Sequence, residues 1–119
     1  MDIKLESERT FQLWEYHVSH GQALIRSPKS GPDQKENIDV LIFGIEYIAI
    51  SRHLKGITIR RPHPNKIEDL KDSLPKSTDI NRQNTWTFLS EGVRHYTIAT
   101  GGIKVQTSNM GIFETPLEK

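Results

Sequence analysis

The chain contains no cysteine, which excludes disulfides, thiolate metal sites, iron–sulfur clusters and cysteine nucleophiles. Long apolar runs are missing as well. The most hydrophobic stretch, Ile38 to Ile50, is broken by Asp39, Gly44 and Glu46. It falls short of the ~18 apolar residues that a membrane span requires. The opening MDIKLESERT has no apolar core of the kind a secretory signal carries. These absences predict a soluble, cytoplasmic protein with no transmembrane segment. Excess charge is lacking too, with 16 Lys+Arg against 15 Asp+Glu and a net charge of +1. That balance argues against nucleic acid as the partner. No sequence repeat or low-complexity tract appears.

What remains is 119 residues, 34% hydrophobic, enough for one domain over residues 1–119 with one core. Residues 10–18, TFQLWEYHV, alternate as a half-buried strand does. With a two-residue turn at His20-Gly21 they pair with Gln22 to Ser27, setting Val18 against Ala23, Tyr16 against Ile25 and Glu15 against Arg26. The polar, Pro-containing residues 28–37 form a loop. Ile38 to Ile50 is rich in β-branched residues and reads as a strand. Extended, it would span about 43 Å, against a domain diameter of roughly 35 Å. It must therefore bend, and Gly44 is the natural kink. A strand over Gly56 to Arg61 pairs with it in a register matching Ile50 with Ile57, Ile48 with Ile59 and Glu46 with Arg61.

A short helix over residues 66–74 follows, with Asn65 as cap, Glu68 completing a capping box, Ile67, Leu70 and Leu74 on one face and Pro75 as stop. Residues 75–84 form a second polar loop. The last third predicts a meander of Thr85 to Leu89, Val93 to Thr100 and Ile103 to Ser108. A three-residue loop Ser90-Glu91-Gly92 and a Gly101-Gly102 turn would put Trp86, Phe88, Tyr96, Ile98, Ile103 and Val105 on one face. The tail would lay Ile112, Phe113 and Leu117 against the sheet. The expected fold is thus mainly β with one short helix: about seven mostly antiparallel strands in a partly closed barrel or roll. In strand count and sheet curvature that shape resembles PH-like domains, and a two-sheet sandwich is the alternative.

Chemistry-bearing patterns are sparse. GxSxG, HExxH, P-loop and GxGxxG motifs are all missing, so no catalytic residues and no cofactor are assigned. The nearest approach to a catalytic set is His53, His63 and Glu46, grouped by the expected pairing of the third and fourth strands. The five His, among them His17, His20 and His95, follow no ligand spacing, so no metal site is expected. One local imbalance stands out. Between Tyr47 and Ile67 no acidic residue occurs, while Arg52, Lys55, Arg60, Arg61, His63 and Lys66 offer a candidate anion-binding segment for phosphate or a lipid headgroup. The strand geometry places Arg52 and Lys55 at one end and Arg60, Arg61, His63 and Lys66 at the other. The aromatic residues could instead line a small-molecule cavity inside a barrel. The leading expectation is a non-catalytic interaction protein, of adaptor or inhibitor and immunity type. It would recognise a protein partner through loops and sheet edges. An exposed edge strand would also permit a homodimer, although the sequence does not say which strand is the edge.

Overall fold

The architecture turns on one strand long enough to serve both ends of a sheet. In the computed structural model, which describes residues 3–117, β1 covers Ile3–His17. Its C-terminal part pairs with β2 (Gln22–Ser27), and its N-terminal part pairs with β4 (His53–Arg60). Irregularities between Ser7 and Thr10 and between Leu13 and Glu15 let it bend from one partner to the other. With β3 (Asn37–Ala49), β5 (Thr85–Ser90) and β6 (Val93–Ser108), the antiparallel order β1-β2-β3-β6-β5-β4 closes into a ring. Helix α1 (Pro64–Ser73) lies between β4 and β5 in sequence. The ring agrees with the expected roll, built from six strands among the described residues rather than seven.

Alternation along each strand separates two sides. Inward, Phe11, Ile25, Val40, Ile42, Leu54, Ile59 and Phe88 are buried in one cluster. Each such side chain contributes about 1.5–3 kcal/mol by leaving water. The barrel interior is filled by this cluster rather than held open for a ligand. Outward, two satellite clusters form, one of Leu24, Leu41 and Leu117 and one of Ile67, Ile80 and Ile98.

Five local expectations are corrected. First, Gly101-Gly102 is not a turn, and β6 runs straight through it along β3. A Cβ on Gly101 would come within 2.7 Å of the Phe43 Cβ, and one on Gly44 within 2.7 Å of the Gly101 nitrogen. These glycines permit a close backbone approach at the bend, which is a different use from a hairpin. Gly44, with φ +64, is the kink that the length of β3 demands. Second, β5 and β6 join through the two-residue turn Glu91-Gly92, both at positive φ, so that Ser90 opposes Val93 and Trp86 opposes Thr97. Trp86 and Phe88 point inward, while Tyr96 and Ile98 lie on the outer face. The shorter turn wins because its twist suits a tight hairpin, even with a glutamate in the left-handed region.

Third, β1 and β2 connect through a 3-10 turn at Val18–His20, and Tyr16 opposes Ala23 while Leu13 opposes Ile25. Arg26 thereby meets Gln12 on β1 and Asp39 on β3, not Glu15. Fourth, β4 does not pair with β3, whose two edges are occupied by β2 and β6. Residues 3–9, charged enough to read as a tail, take that place beside β4. Fifth, α1 starts at Pro64 behind His63, two residues before the expected start, because proline's fixed φ suits the first helical position. Asn65 is therefore not the cap, and Glu68 pairs with Lys71 at 3.4 Å. In the tail, among the described residues, only Leu117 is buried; Ile112 and Phe113 are 64% and 92% exposed.

Candidate interaction surface

The anion segment is stretched along one strand. Arg52 lies just before β4, and Arg61 just after it, so about 30 Å of extended chain separates them. Each member has its own surroundings. Arg61 stacks its guanidinium 3.7 Å from the centre of the Trp86 ring and donates to the Gln83 carbonyl at 2.7 Å. Lys66 faces Asp69 at 3.7 Å, and His63 sits at the helix N-cap without a side-chain capping bond. Arg60 closes β4, and Arg52 lends its carbonyl to the Leu13 amide. Lys55 alone reaches a concave surface.

That surface is an open groove of about 690 Å³, formed where three segments converge. Residues 6–8 of β1 and 55–58 of β4 make its floor, and residues 89–92 make its wall. The local sequence explains the opening. β4 pairs with β5 only from Thr58 to Arg60, because β5 turns away at Glu91-Gly92. Gly56, at φ +68, bends the strand opposite the irregularity in β1. The hydroxyl of Ser90 donates to the Lys55 carbonyl at 3.2 Å and ties the turn to the strand. Around the rim Glu6, Glu8 and Glu91 are exposed, with Lys55 as the lone cation of the lining. The sequence reading missed these glutamates because they come from distant segments that only the ring closure joins.

The two expected interaction loops are well tied. Arg9 donates to the carbonyls of Ser27, Pro28 and Glu36 at 3.0–3.1 Å, holding both ends of the 28–36 loop. Asn84 donates to the Asp79 carbonyl and accepts from the Asn81 amide, closing the 75–84 loop onto itself. Arg82 anchors it to the Pro62 carbonyl at 2.8 Å.

The histidines form no site, and the one close pair, His17 and His20 with ring centres 6.3 Å apart, flanks the turn after β1. His53 opens β4 and His63 follows it, while Glu46 lies on β3, so the expected pairing that grouped them does not exist. His17 pairs with Glu15 at 3.1 Å. No group of three or more potential ligands suited to a metal occurs among the described residues. His95 faces inward at the barrel end. Its Nδ1 accepts from the Ser51 amide at 3.3 Å, and burial lowers its pKa below the usual histidine value of 6.5. No helix among the described residues is long and apolar enough to cross a membrane. No family model, curated protein or solved structure matches the chain.

Proposed function

We propose that this chain is a non-catalytic interaction module whose groove takes a basic segment of a protein partner. The groove carries the proposal: three exposed carboxylates, Glu6, Glu8 and Glu91, border it against one lysine. Carboxylates around a concave floor attract Lys and Arg side chains and speed their encounter, an effect weakened by salt. Exposed strand backbone in the floor adds donors and acceptors for an extended peptide. Anion binding by residues 52–66 has less support, since Arg61 is engaged by Trp86 and two carbonyls, and Lys66 by Asp69.

Amide chemical shifts recorded during titration with a Lys/Arg-rich peptide, and separately with a Glu/Asp-rich one, test the proposal. The basic peptide is expected to move resonances of residues 6–8, 55–58 and 89–92, and Glu8→Lys with Glu91→Lys to suppress those shifts. Equal response to both peptides, or shifts confined to the 52–66 segment, would overturn it.

A further inference from the structure

The side of β1 turned away from β4 is a free edge. β2 would naturally cover it, but β2 ends at Ser27 because Pro28 has no amide to donate to a ladder. Pairing between β1 and β2 therefore reaches back only to Gln12. Arg9 fills the gap beyond with its hydrogen bonds to the 28–36 loop. Over residues 3–8 no other described strand lies against that edge. Along it Ile3, Lys4, Glu6 and Glu8 are exposed and Leu5 leans on the core, with a register irregularity against β4 between Ile3 and Leu5.

Charged residues on an edge usually keep it from pairing. A run of one sign would repel its own copy, and this one does not. Antiparallel pairing about a two-fold axis through Leu5 sets Leu5 against Leu5, Ile3 against Ser7 and Lys4 against Glu6. The Lys4–Glu6 pair occurs twice. A register centred on Glu6 would also form two Lys4–Glu8 pairs but would oppose Glu6 to itself, so the Leu5 register, with two opposite-charge pairs and no like-charge one, is favoured. With β1 beginning at Ile3 among the described residues, the Leu5 register pairs residues 3–7.

We infer that this edge joins a second copy of the chain, with β1 pairing antiparallel to β1 around Leu5. The two barrels then share one continuous sheet, and their acidic grooves lie on either side of the two-fold axis. A partner with two basic segments would be held at two points. The inference shares Glu6 with the groove, but it rests on the free edge and its charge sequence rather than on what the groove binds. Five residue pairs make a small interface, so association is concentration-dependent.

Sedimentation equilibrium of the wild type, Lys4→Glu, Glu6→Lys and the double variant tests it. All the altered side chains are exposed, so each variant folds as the wild type does. Lys4→Glu sets Glu against Glu twice, and Glu6→Lys sets Lys against Lys. Each single variant is expected to dimerise roughly thirtyfold more weakly. The double variant restores both opposite-charge pairs and recovers the wild-type constant. An equimolar mixture of the two single variants forms a heterodimer. A wild type that stays monomeric up to about 1 mM would overturn the inference, as would a dimer indifferent to both single changes. Lys4 does not line the groove, so a basic peptide still shifts groove amides in Lys4→Glu if the partner proposal holds.

Discussion

The bend at Gly44 and Gly101 divides the β3–β6 pair into two halves, and their outer faces are covered by different chemistry. Beyond the bend in β3, Tyr47 lies beside Ile98 of β6, and this half is sealed by Ile67 and Leu70 of the helix, Leu74 at its C-cap and Ile80 of the loop that follows. Before the bend, Leu24 and Leu41 lie under a strap formed by residues 109–117, with Leu117 buried against them. The strap is too short and polar to seal a face by hydrophobic burial alone. A buried ion pair fixes it instead. Arg26 and Asp39 are 1% and 0% exposed, joined at 2.7 Å and 3.1 Å as a two-pronged pair. The remaining guanidinium nitrogen donates to the strap carbonyls of Glu114 and Gly111, and Ser108 donates to Asp39. One face is held by non-directional packing and the other by directed bonds. The first should tolerate a loss locally, and the second should not.

The largest expected effect comes from Asp39→Ala. It leaves a buried guanidinium without its counter-charge and withdraws the acceptor of Ser108, so a loss of about 3–5 kcal/mol is expected. Urea denaturation measures it, and hydrogen exchange should show the 109–117 amides opening with the global transition. Replacing both partners, Arg26→Met with Asp39→Leu, should recover much of the stability while still releasing the strap. Recovery of strap protection in that double variant would show that the ion pair is not what fixes it.

Ile67→Ala addresses the helical half. Ile67 is 7% exposed and packs on Ile80 and Ile98. Its truncation is expected to cost about 2 kcal/mol, the low end for such a change, because a short surface helix can settle into the space. Amides of α1 and of residues 75–84 should lose protection while those of β2 and the strap keep theirs. Equal loss across both halves would erase the contrast between them.

How far this division could be read in the sequence differs between the halves. The β-branched run and its excess length announced β3 and the kink at Gly44, and the 67/70/74 spacing announced the helix face. The strap's anchor was hidden because Arg26 sits opposite Gln12 rather than Glu15, three residues of register away, and side chains reverse face with each odd step; across β3 it meets Asp39 instead. The same sensitivity turned Tyr96 and Ile98 to the outer face, with Ile98 beneath the helix, once Glu91-Gly92 proved to be the whole turn. Gly101-Gly102 resembles a hairpin tip in one dimension, since the close approach of Phe43 is a long-range fact. The groove was the least legible feature. Lys55 came from the basic segment, but Glu6, Glu8 and Glu91 meet only because β1 closes the ring.

The smallest expected effect is a pH dependence carried by His95, in the helical half. His95 stands on β6 opposite Phe88, and its Nδ1 accepts the Ser51 amide. Burial disfavours the charged ring, so the folded-state pKa lies below 6.5. Above 6.5 the ring is neutral in both states, and its contribution to stability is complete. As pH falls below 6.5 the unfolded chain takes up the proton first, and stability declines until the folded-state pKa is passed. Protonation of Nδ1 would also cost the bond from Ser51. His95→Gln keeps an acceptor in reach of that amide and removes the titration. Urea midpoints measured from pH 7.5 to 5.5 should therefore fall more steeply for the wild type than for His95→Gln. Parallel curves would show that His95 is not the source of a pH dependence in this half.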